Sequence, residues 1–63
     1  MNEDSNMSIR RFLKHVGVTS QRVIEDALRD NDSAGKRYKV RVVLTIDELG
    51  VEHTVDGEVE GQG

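Results

Sequence analysis

The feature that most constrains this chain is the alternation that runs through its second half. Between Tyr38 and Glu60, Val40, Val42, Leu44 and Ile46 take every second position, and after a short break Val51, Val55 and Val59 resume the spacing. Period-two patterning on both sides of a turn signal predicts a β-hairpin with one apolar face. The break at Asp47-Glu48-Leu49-Gly50 has an even number of residues, which sets the pairing. Ile46 falls opposite Val51, Leu44 opposite His53, Val42 opposite Val55 and Val40 opposite Gly57. Gly50 supplies the left-handed residue that closes a four-residue loop built on a type I turn. A three-residue loop would slip the register by one, set Val42 against Asp56 and mix the two faces.

The outer face selects the same register independently. There Arg41 meets Asp56, Lys39 meets Glu58 and Arg37 meets Glu60. Opposite charges directly across a strand pair contribute roughly 0.2–1 kcal/mol each, so both faces favour one alignment. Gly61-Gln62-Gly63 reads as a frayed tail.

Upstream, Ile9, Phe12, Leu13 and Val16 fall at i, i+3, i+4 and i+7, one apolar stripe of a helix. Arg10, Arg11, Lys14 and His15 lie off that stripe. Asn2, Asp4, Ser5 and Asn6 are the N-cap candidates, with Glu3 and Asp4 at the positive end of the macrodipole. Gly17 suits the left-handed position after a helix end, with Val18 placed to touch Leu13. Thr19 then suits the N-cap of a second helix with Val23, Ile24, Ala27 and Leu28 on its apolar face. Glu25 and Arg29 pair at i, i+4, and Arg22 and Asp26 do so in the weaker order. The second helix fades through Asn31-Asp32-Ser33, and Gly35 is its last plausible stop.

Sixty-three residues make one domain at most, and so short a chain is marginally stable without staples. The chain has no Cys, so disulfides and thiolate metal sites are excluded, and it has one Phe and one Tyr. No apolar run reaches the length of a membrane span and the acidic start is the reverse of an export signal, so a cytoplasmic location is expected. The net charge of −3 argues against strong nonspecific nucleic-acid binding, which requires Lys and Arg to neutralise phosphates. The apolar residues are patterned rather than sparse, which favours a folded chain over a disordered one.

The block Asn6-Met7-Ser8-Ile9-Arg10-Arg11-Phe12-Leu13-Lys14-His15-Val16-Gly17-Val18-Thr19-Ser20-Gln21 resembles a family of short bacterial proteins of unknown function. The resemblance implies a second helix and a β-rich C-terminal half, and it implies no activity, substrate or partner. Val16 to Val23 is also similar to the turn and recognition-helix start of helix-turn-helix repressors, and two helices before a hairpin resemble a winged helix lacking its first helix. That similarity implies Ser20, Gln21 and Arg22 at base edges, with Arg10, Arg11 and Lys14 at phosphates. Glu25 and Asp26 oppose it by placing acid on the helix that would enter the groove. Glu52, Asp56, Glu58 and Glu60 would likewise make a poor wing.

Chemistry-bearing constellations are sparse. His15 and His53 are far apart in sequence, and no spacing gives either a second metal ligand on its face. His53 falls on the apolar hairpin face between Val51 and Val55, and a half-buried histidine at the sheet margin explains it without a functional role. No Gly-x-Ser-x-Gly elbow and no glycine-rich phosphate loop is present. No enzyme and no cofactor is expected.

The sequence therefore predicts an α+β fold, with two helices packed on one face of a two-stranded antiparallel β-hairpin. The single domain spans residues 1–63, with helices at about 4–16 and 20–33 and strands at about 38–46 and 51–60. Its expected core is Ile9, Phe12, Leu13, Val16, Val18, Ile24, Ala27, Leu28, Val40, Val42, Leu44, Ile46, Val51 and Val55. The expected role is a non-enzymatic interaction module that binds an unknown protein partner or itself. Its contact surface would be Arg10, Arg11 and Lys14 with a free hairpin edge, which could also form a homodimer. A degenerate DNA-binding domain, contacting nucleic acid through Ser20, Gln21 and Arg22, is the alternative.

Overall fold

The computed structural model describes residues 3–62. Its elements are one α-helix, α1 (Glu3–Arg29), and two strands, β1 (Arg37–Ile46) and β2 (Val51–Glu60), joined by a 3₁₀ turn at Asp47–Leu49. The class is α+β, with one helix where two were expected. The chain forms two compact units, one through Asn31 and one from Asp32.

α1 runs without interruption through Gly17-Val18-Thr19, where the sequence predicts a break. Gly17 does not take a positive φ. Thr19 does not act as an N-cap either: its hydroxyl donates back to the His15 carbonyl at 2.8 Å and lies 3.4 Å from that of Val16. This is the bond of a threonine inside a helix. Magnitudes account for the outcome. A mid-helix glycine costs about 1 kcal/mol relative to alanine, whereas starting a second helix carries a nucleation factor of about a thousand against it. Val18, expected against Leu13, is 59% exposed.

Both ends of α1 also differ from expectation. Asp4, Ser5 and Asn6 lie inside the helix rather than capping it, and Asn2 lies outside the described residues. The helix stops at Arg29, ahead of the expected end near residue 33. There the Asn31 side-chain amide donates to the Ala27 carbonyl at 2.7 Å, satisfying a group that the ending helix leaves unpaired. Arg29 bonds Asp26 at 2.6 Å and approaches Asp30 at 3.8 Å, in place of the expected pairing with Glu25. The hydrogen bond that Arg29 donates to Asp26, with the charges of Asp26 and Asp30, raises the Arg29 pKa above its ordinary value.

The hairpin has the expected register throughout. Ile46 pairs with Val51, Leu44 with His53, Val42 with Val55 and Val40 with Gly57. Gly50 adopts φ 64° and ψ 29°, and its N–H donates to the Asp47 carbonyl at 3.2 Å, closing the turn. On the charged face Arg41 meets Asp56 at 3.0 Å and Arg37 meets Glu60 at 3.5 Å. Arg37 also reaches diagonally to Glu58 at 3.7 Å, the acid that the register sets opposite Lys39. These groups are mostly exposed, so each pair is worth little. A double-mutant cycle on Arg41 and Asp56 is expected to give a coupling of about 0.2–1 kcal/mol that shrinks with added salt.

The base of the hairpin is clasped. Gly61 N–H donates to the Lys36 carbonyl at 2.8 Å, and Lys36 N–H donates to the Ser33 carbonyl at 3.1 Å. The Ser33 hydroxyl accepts from Gln62 N–H at 3.1 Å and donates to the Gln62 carbonyl at 3.3 Å. Ser33 is 1% exposed, the one buried residue among those described. Gly61 and Gln62 are therefore tied down rather than frayed, and Gly63 lies outside the described residues. Gly61 passes so close to the Ser33 carbonyl that a Cβ there would overlap it.

No apolar side chain among the described residues is buried, so none of the residues expected in a core is in one. Each unit is a single layer with one apolar side. A lone helix or a lone two-stranded sheet has nothing of its own with which to cover that side.

Candidate interaction surfaces

Three surfaces follow from these elements. The first is the basic face of α1. At 3.6 residues per turn, Arg10, Arg11 and Lys14 share the side away from the Ile9–Val16 stripe. All three are exposed, and no ion pair among the described residues involves them. The second surface is the side opposite them, which carries Ile9, Phe12, Leu13, Val16, Val23 and Ala27 along the unbroken helix, with Val23 68% exposed.

Ser20, Gln21 and Arg22 do not form one face. Consecutive helical residues are separated by about 100°, so the three radiate around α1. Ser20 lies within the apolar stripe and is half-buried, while Gln21 donates to Glu25 at 3.4 Å. No turn precedes them, because α1 is continuous there.

The third surface is the hairpin. Its apolar face gathers Tyr38, Val40, Val42, Leu44 and Ile46 from β1 with Val51, Val55 and Val59 from β2. Val55, in the middle of β2, is 52% exposed. His53 stands on this face opposite Leu44 and is exposed, so the half-buried position expected of it is not found. The sheet has two strands, so each presents an outer edge. The sequence missed one polar feature, the Ser33–Gln62 clasp. Its residues are small, polar and distant in sequence, and no periodic signal marks them.

Reactive groups do not converge. Among the described residues no three His, Cys, Asp or Glu side chains are placed to hold a metal ion. A concavity at mid-hairpin is lined by Lys39, Val40, Arg41, Asp56, Gly57 and Glu58, and there Arg41 and Asp56 bond each other. No helix among the described residues is long and apolar enough to cross a membrane.

The described residues hold one helix, one hairpin and no convergent polar site, so kinship has to come from the sequence as a whole. A family model matches residues 1–62. The chain belongs to the family of unknown function DUF6494. Membership of DUF6494 agrees with the resemblance to an uncharacterised family drawn from residues 6–21. The comparison extends that likeness across both units, so helix and hairpin belong to one DUF6494 unit of sequence. No curated protein and no solved structure matches the chain.

Proposed function

We propose that this protein is a small, non-enzymatic cytoplasmic interaction module that binds protein, its own copies included. The supporting observation is the absence of any buried apolar side chain among the described residues, alongside two apolar faces, one on the helix and one on the hairpin. Burial of apolar surface is the main favourable term in folding and in association. Faces patterned this consistently yet left in water are what a partner would cover. The basic face at Arg10, Arg11 and Lys14 and the outer strand edges supply charge selectivity and backbone pairing for a second protein.

Sedimentation equilibrium at micromolar concentration tests the self-associating part. The expected result is a mass above the 7.1 kDa of one chain, rising with concentration. A clean single-chain species over that range would remove self-association.

The alternative, a degenerate DNA-binding domain, draws its support from the same three cations. Labelled duplex titrated at about 50 mM salt separates the readings, because phosphate contacts are strongest there and fall steeply as salt rises. The expected result is no binding. Binding that weakens with salt would favour the nucleic-acid reading instead.

A further inference from the structure

The two strands of the hairpin are opposite in charge. β1 carries Arg37, Lys39 and Arg41 and no acid, while β2 carries Glu52, Asp56, Glu58 and Glu60 and no lysine or arginine. Backbone parity ties the cations to one edge. Gly61 N–H donates to the carbonyl of Lys36, just before β1, so the even-numbered residues that follow turn their backbone groups toward β2. Arg37, Lys39, Arg41, Val43 and Thr45 therefore turn theirs outward, and all five are exposed. We propose that this outer edge of β1 takes an extended acidic segment of a partner protein as a third strand. The proposal rests on the protein-binding reading above and gives it an edge and a partner chemistry.

Three observations favour that edge and that occupant. The first is regularity. β1 and β2 pair without a bulge from Arg37 to Ile46, and the chain has no proline. Bulges, prolines and short length are common means of blunting an edge, so charge alone guards this one. Cations turn away a basic strand and admit an acidic one. The second is spare cationic capacity. No ion pair among the described residues involves Lys39, and Glu58 opposite it pairs with Arg37 instead. Arg41 holds Asp56 through Nε, which leaves both Nη groups for a second acid. An added strand with acids at every second position sets them beside Arg37, Lys39 and Arg41, while its alternate side chains extend the apolar face.

The third observation is that copies of this chain suit the edge poorly. A copy's β1 brings three more cations and no acid. A copy's β2 matches in charge, but each such addition exposes a new β1 edge, and a head-to-tail contact of this kind does not close. An acidic segment of a different protein supplies the charge without that propagation. Backbone pairing then provides affinity and the side-chain row provides selectivity.

A synthetic peptide with the sequence of β2, Val51 to Glu60, is the probe, added to the full chain while amide exchange is followed by nuclear magnetic resonance. At saturating peptide the Lys39, Arg41 and Val43 amides are expected to lose their fast exchange. A peptide that merely replaced β2 would leave these three amides exposed and would overturn the proposal. A control peptide with Gln and Asn for every Glu and Asp is expected to bind about tenfold more weakly, and equal binding overturns the acidic partner. Val43→Pro removes one outward N–H while sparing the bonds to β2, and proline so placed is tolerated on an edge strand. It is expected to abolish peptide binding. A Val43→Pro chain that keeps its Val42 and Leu44 amides protected and still binds overturns the edge. Should Val43→Pro fail to fold, the wild-type exchange pattern alone decides. Outward amides that become protected with rising protein concentration and no peptide put a second copy on the edge, which overturns the acidic partner and leaves self-association standing. A peptide that protects none of these amides overturns the proposal without touching the sedimentation test above.

Discussion

Ser20→Pro is expected to remove much of the helical signal and to destabilise α1 by about 3 kcal/mol or more. The size of the effect follows from the continuity of the helix. Within α1 the Ser20 N–H donates to the carbonyl four residues back, and proline deletes that donor and drives its ring toward the same carbonyl. Were Thr19 the cap of a second helix, Ser20 would be that helix's first residue, where proline is favoured. The two architectures therefore predict opposite signs for one substitution. Far-ultraviolet circular dichroism with a thermal melt reads it directly, with Ser20→Ala as the control for loss of the hydroxyl. An unchanged or more stable Ser20→Pro chain would contradict the continuous helix.

Gly61→Ala is the second large effect. The obstacle to a Cβ at this position is the Ser33 backbone carbonyl, with the Ser33 Cβ 2.8 Å away. Backbone cannot swing aside as the end of a flexible side chain can, so the substitution must shift the clasp. Overpacking of this kind costs about 1–3 kcal/mol, and the upper end applies here. Against a total of roughly 5–15 kcal/mol for a typical domain, that is a large share. Hydrogen exchange should show lost protection at the Gly61 and Lys36 amides, with the pairing near Ile46 and Val51 kept. Full protection at all these sites would argue against the close approach.

The sequence showed the hairpin well because two unrelated patterns, valines on one face and opposite charges on the other, demand the same register. It could not show whether α1 breaks. Gly17-Val18-Thr19 offers the same local signals for a cap and for a helix that carries on. The decision lies in nucleation, which is a property of the whole segment. The basic face at Arg10, Arg11 and Lys14 follows from helical period alone. Period alone also separates Ser20, Gln21 and Arg22, which the repressor similarity had grouped as neighbours. Apolar patterning marked one side of each element and carried no information about what covers it. The Ser33 clasp joins residues nearly thirty positions apart through small polar groups, and no short-range pattern announces such a bond.

The exposed valines and leucines of α1 and the hairpin have a calorimetric consequence. Unfolding a chain that hides little hydrocarbon adds little heat capacity and gives a shallow denaturant slope. If copies associate as proposed, the larger heat-capacity change accompanies their meeting, where it is negative. The midpoint of melting would then depend on protein concentration, and calorimetry would measure assembly as much as folding.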